Sequence, residues 1–136
     1  MYFGFQDIYA SYGKKEILRG LTLDIPRGKI VTLIGQNGCG KSTLLKTVSK
    51  AVIPKSGKVV YLDKKLSSYP PKQLAQKIAY LSQVHESPPD IDVRTLVSYG
   101  RFPHSRFGRG LTAEDGEIID RALALTGLTH LKDRIL

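Results

Sequence analysis

Nine consecutive residues, Gly35-Gln36-Asn37-Gly38-Cys39-Gly40-Lys41-Ser42-Thr43, combine three glycines with a lysine and two hydroxyls. They fit the pattern G-x-x-x-x-G-K-[ST], the phosphate-binding P-loop. Each residue type has a use there. Gly35, Gly38 and Gly40 let backbone N–H groups approach a polyphosphate with no Cβ in the way, and they accept positive φ. A helix starting near Lys41 points its unpaired N–H groups and its dipole at the same phosphates. Lys41 adds a mobile point charge for the β- and γ-phosphates, and Ser42 offers a hydroxyl to Mg²⁺. A plain glycine-rich turn would explain the glycines but not the Lys-Ser pair that follows them.

Two elements must hold this loop. Lys29-Ile30-Val31-Thr32-Leu33-Ile34 is apolar and β-branched, and predicts a buried strand leading into it. Ser42 to Val48 carries Leu44, Leu45 and Val48 at helical spacing, which predicts the helix leaving it. Upstream, residues 2–9 predict a strand and Ala10 to Lys15 a hairpin turn. Glu16 to Ile25 predicts a second strand with Ile17, Leu21, Leu23 and Ile25 on one face. Downstream come a strand over Lys58–Leu62, a short helix begun by Pro70 and Pro71, and a short strand, Ile78–Leu81, delivering Ser82-Gln83. Ser87-Pro88-Pro89-Asp90 reads as a rigid loop and a subdomain boundary. From Val93 the period turns helical. Arg101 to Leu111 reads as a loop. Thr112-Ala113-Glu114-Asp115 resembles a capping box with Asp in its fourth position, and Gly127 is placed to end the helix that follows.

The 136 residues fit one domain of ordinary globular composition, 41% hydrophobic and 24% charged. No apolar run is long enough to span a bilayer, and the first residues lack the basic start and apolar core of a signal peptide. A single cysteine, Cys39, excludes an internal disulfide and fits a reducing compartment. The net charge of +9 would suit nucleic acid, an anionic surface or a polyphosphate. No Lys/Arg run exceeds two residues and no aromatic residues interleave with them. The charge therefore reads as a solvated face plus attraction for nucleotide, with no nucleic-acid partner.

With these residues in hand, the chain resembles the N-terminal half of an ATP-binding cassette ATPase. That resemblance implies an α/β fold: a P-loop NTPase core with an antiparallel β subdomain over residues 1–87, then the start of a helical subdomain over 88–136. It implies that Tyr12, 23 residues before Gly35, stacks on adenine, and that residues 35–43 hold ATP. Gln83, closing Ala79-Tyr80-Leu81-Ser82-Gln83, looks like the Q-loop glutamine. In the family that residue touches Mg²⁺ or the attacking water and senses the transporter. By the same resemblance Lys41 and Gln83 are the catalytic residues, and Ser42 and Gln83 the metal ligands. Asp92 to His104, with its Gly-Arg-Phe-Pro-His segment, is similar to the cassettes that drive iron–siderophore, haem and cobalamin importers. The implied partners are a membrane permease and a second ATPase subunit. The implied location is the cytoplasmic face of a bacterial inner membrane, peripheral to it. A cassette of another kind, an exporter or a ribosome-associated factor, is the alternative, with a basic nucleic-acid-binding module behind it.

Three family features have no counterpart in these residues: a Walker B strand ending in Asp-Glu, a Leu-Ser-Gly-Gly-Gln signature, and a switch histidine. Val59-Val60-Tyr61-Leu62-Asp63 imitates Walker B, but Lys64 follows it and it precedes Gln83, so it reads as a structural strand. His85, His104 and His130 all precede any place for a signature. The sequence thus reads as a fragment stopping before Walker B. It is expected to bind nucleotide without hydrolysing it and to leave apolar faces around Ile30–Ile34 open.

Overall fold

The computed structural model describes residues 1–83, 90–106 and 109–136. The chain divides into two compact units, Met1–Leu74 and Ala75–Leu136. The boundary expected between residues 87 and 88 lies outside the described residues, as does His85.

The first unit is built on a four-stranded antiparallel sheet. Strands β1 (Phe3–Tyr12), β2 (Lys15–Ile25), β3 (Ser56–Tyr61) and β4 (Lys64–Lys65) lie in the order β2-β1-β3-β4. Tyr12 pairs with Lys15, so the β1–β2 turn is two residues long, tighter than the six residues the polar stretch suggested. The central strand β1 explains why the period of β2 misleads. Register shifts between Phe5 and Ile8, Ile8 and Ala10, and Ala10 and Ser11 rotate its side chains. Leu18, off the face expected for β2, is buried opposite Ala10, while Ile17, Leu21, Leu23 and Ile25 are half-buried. Phe5, Ile8, Ala10 and Leu18 join Val59 and Val60 of β3 in the core, under helix α1 (Lys41–Val48), whose Leu44 and Val48 face inward. β3 ends one residue before Leu62-Asp63, both in left-handed backbone, and the Asp63 carboxylate receives the N-terminal ammonium.

Two expected strands are absent. Lys29–Ile34 joins no ladder among the described residues; Ile30 is 97% and Ile34 93% exposed. Ile78–Leu81 likewise stays irregular, with Leu81 exposed. A buried parallel strand needs hydrogen-bonding neighbours and a covering layer on each face. The described strands all pair antiparallel with one another and supply neither.

The second unit follows α2 (Pro71–Ala75) and is helical. Helix α3 (Val93–Ser98) is capped by Asp92, whose Oδ1 accepts the Thr95 N–H at 2.6 Å. It runs on into a 3-10 turn over Tyr99–His104, where a loop was expected. Helix α4 (Ala113–Leu125) packs on α3 through Ile119 and Leu123, and Arg94 pairs with Asp120 at 3.2 Å. The last residues turn back to the start of α3: Ile135 bridges Asp92, and the Val93 N–H donates to the Arg134 carbonyl at 3.0 Å.

Candidate functional site

The P-loop motif folds as its residue types require, with one difference. Gly38 (φ 79°) and Gly40 (φ 103°) sit in left-handed backbone, but Gly35 does not. Gly35 is needed for space instead: a Cβ there would lie 2.7 Å from the Cys39 Sγ. Gly40 is buried as well as left-handed, and a Cβ on it would meet Leu18 at 2.9 Å and Ile17 at 3.1 Å. The end of the loop is therefore seated on β2. The period of β2 gave no signal for that contact, because it counted Leu18 on the other face.

From Gly40 the chain enters α1 at once. The N-cap has no side-chain hydrogen bond and the first turn has no acidic residue. The leading N–H groups of a helix have no partner within it, so this end carries partial positive charge with nothing negative beside it. Lys41 bends back over the loop. Its ammonium donates to the Gly35 carbonyl at 2.6 Å and the Gln36 carbonyl at 2.8 Å, and lies 3.7 Å from the Cys39 Sγ. Gln36, Asn37, Gly38, Cys39 and Ser42 are exposed, whereas Thr43 is buried beneath the helix. An anion settling on the loop would draw Lys41 off two neutral carbonyls and offer charge-assisted bonds in exchange.

Tyr12 is half exposed at the tip of the β1–β2 hairpin. Its partner Lys15 stands two residues before Ile17, which touches Gly40. Tyr12 and residues 35–43 belong to the first unit, and Gln83, which is exposed, belongs to the second.

Within the second unit, the Gly-Arg-Phe-Pro-His segment is more structural than it reads. Arg101 Nε donates to Asp115 Oδ1 at 2.7 Å, with both side chains largely buried. Asp115 also closes the capping box: its Oδ2 accepts the Thr112 N–H at 3.0 Å, while its own N–H donates to the Thr112 Oγ1 at 3.1 Å. The Thr112 N–H, the Arg101 guanidinium and the Thr112 hydroxyl hold the Asp115 carboxyl down at about 2, against an ordinary 3.8. The only hint of the Arg101 bond in the sequence was the Asp in the fourth position of the box.

Comparison with known proteins agrees with this geometry. A family model described as ABC transporter matches residues 18–136. The iron(3+)-hydroxamate import ATP-binding protein FhuC of Bacillus subtilis is 47% identical over 124 residues, 90% of this chain and 46% of that protein. The ferric enterobactin transport ATP-binding protein FepC of Escherichia coli is 39% identical, over 95% of this chain and 48% of its own length. The chain thus spans about half the length of these curated relatives. Among solved structures, an ATP-binding subunit of an ABC transporter superposes with a TM-score of 0.81 at 20% identity, covering 99% of this chain and 54% of that one. An inward-facing putative metal-chelate type ABC transporter gives 0.73 at 27% identity, over 98% of this chain and 48% of that one. The first likeness, at that identity, speaks for the fold alone. Family match, relatives and phosphate loop converge: the chain belongs to the ABC transporter family, on the side of its ATP-binding subunits.

Proposed function

We propose that the chain is the nucleotide-holding part of an ATPase subunit that powers import of an iron complex. The observation that carries the reading is the open start of α1: a left-handed glycine loop, no cap, and the Lys41 ammonium poised on the loop carbonyls. The names of the relatives, hydroxamate and enterobactin importers, favour a ferric siderophore over haem or cobalamin as the cargo of the whole transporter. No helix among the described residues is long and apolar enough to cross a membrane, which suits a subunit held at the cytoplasmic face by a permease.

In this reading Gly38, Gly40 and the first turn of α1 present N–H groups to the phosphates, and Lys41 swings from the loop carbonyls to their outer oxygens. Tyr12 stacks on adenine. The exposed Ser42 hydroxyl would offer Mg²⁺ one protein oxygen, and the exposed Gln83 amide is the second ligand that the family resemblance implies. When bound, the ion neutralises charge on the phosphates. Gln83 is the residue that would orient water and report to the permease. These residues include no Asp-Glu pair after a strand and no signature to close over the γ-phosphate. The chain alone therefore binds and does not hydrolyse; turnover requires those parts and a second ATPase subunit.

Titration with a fluorescent ATP analogue in the presence of Mg²⁺ tests the reading. Lys41→Ala should weaken binding about 10- to 100-fold, the worth of a charge-assisted contact. Tyr12→Ala should lose ~1–3 kcal/mol for ATP and leave inorganic triphosphate unchanged, because only the base is stacked. Full affinity in Lys41→Ala would refute the site, equal losses for both ligands would refute the stacking, and Lys41-dependent phosphate release would refute the inactivity of the chain alone.

A further inference from the structure

Behind the last turn of α1, at the end of the helix away from the phosphate loop, the first unit has an open cavity of about 280 Å³ that the nucleotide reading does not use. Its floor is apolar: Val52, Val59 and Leu66 are each under 10% exposed. Ile53 stands at its mouth, 83% exposed. Lys50, Lys58 and Lys65 line it, and among the described residues no carboxylate does. Lys50 follows α1, and Lys58 and Lys65 lie on the paired strands β3 and β4. Lys50 is loosely tied, to the Tyr69 carbonyl at 3.5 Å.

A small apolar pocket with a few convergent polar groups is the usual form of a ligand site, the polar groups fixing orientation. Here the charged groups are all cations, with the Thr47 and Ser67 hydroxyls beside them. We propose that this cavity binds an amphipathic carboxylate, with its aliphatic chain on Val52, Val59, Leu66 and Ile53 and its carboxylate among Lys50, Lys58 and Lys65. The lysine stems add apolar wall while their ammonium groups stay at the rim. A neutral chain of the same length would gain the floor but not the rim, and a cationic one would be repelled. The proposal is independent of ATP binding.

Decanoate, decanol and decyltrimethylammonium, each below its micelle threshold, are titrated into the ¹⁵N-labelled chain with and without saturating Mg-ATP. The expected result is saturable decanoate shifts at Val52, Val59 and Leu66, with decanol about tenfold weaker, the sum of a few partly screened charge contacts. The ammonium should not bind, and Mg-ATP should not displace decanoate. Lys58→Gln with Lys65→Gln should erase the preference for decanoate over decanol. Ile53→Asp, at an exposed position, should weaken decanoate about tenfold through lost apolar contact. Urea midpoints confirm that both variants are folded. Decanol binding as well as decanoate, shifts centred elsewhere, displacement by Mg-ATP, or variants with unchanged affinity would each overturn the proposal.

Discussion

The starts of α4 and α1 are opposites. At α4, Thr112 and Asp115 satisfy each other's backbone N–H groups, two acidic residues lie in the first turn, and Arg101 braces the carboxylate. At α1 the cap is a left-handed glycine, no side chain satisfies the N–H groups, and the first residue is a lysine. One helix end is closed by its own residues and serves stability. The other has no side-chain oxygen on its N–H groups, an arrangement that suits the anion of the proposed nucleotide site. Motifs of similar length thus serve different ends, and the distinguishing feature is whether the exposed N–H groups already have an oxygen.

The sharpest way to break this contrast is to substitute alanine at each start. Gly40→Ala forces a left-handed residue against Leu18 and Ile17, and should cost ~1–3 kcal/mol of unfolding free energy together with nucleotide binding. Thr112→Ala removes a cap, and should cost ~1 kcal/mol while leaving nucleotide affinity unchanged. Urea unfolding and nucleotide titration on the same samples read both quantities. A Gly40→Ala chain that binds normally would mean the loop geometry is not what holds the phosphates.

A smaller effect separates the two ends by pH. The Asp115 carboxyl is depressed in the folded chain to about 2 from 3.8, so its contribution is complete above about 3.8 and is lost as pH falls from there to about 2. The stability gap between the parent chain and Asp115→Asn should therefore be constant near neutrality and close across that window. A gap that stays level down to pH 2 would show that the carboxylate is not held as drawn. No matching carboxylate exists at the start of α1, so nucleotide-loop variants should show no such closure.

The last prediction leaves stability untouched. Cys39 is exposed, and its sulfur lies beside Lys41 and against Gly35. Maleimide labelling should be rapid in the free chain and slowed by Mg-ATP, and the adduct should block nucleotide by occupying the loop. Labelling at one rate with and without nucleotide would place Cys39 outside the phosphate path.

Local sequence determined the phosphate loop, the hairpin, α1 and both ends of α4. Each rests on interactions within a few residues: glycine backbone freedom, a Thr–Asp box, and Gly127 at the end of α4, where the Leu128 N–H reaches the Leu123 carbonyl at 2.8 Å. Tertiary structure decided the rest. Ile8 and Ile30 are the same residue, and Ile30 lies in the more β-branched stretch, yet Ile8 is fully buried and Ile30 is 97% exposed. A strand is completed by its neighbours, which a one-dimensional pattern does not contain. Ile8 has β2 and β3 on either side; among the described residues Ile30 has no such pair. For the same reason the burial of Leu18 under Gly40 had no signal in the sequence, and the bond from Arg101 to Asp115 had none beyond the Asp of the capping box. Both join residues far apart in the chain, whose meeting depends on bulges and helix packing rather than on spacing.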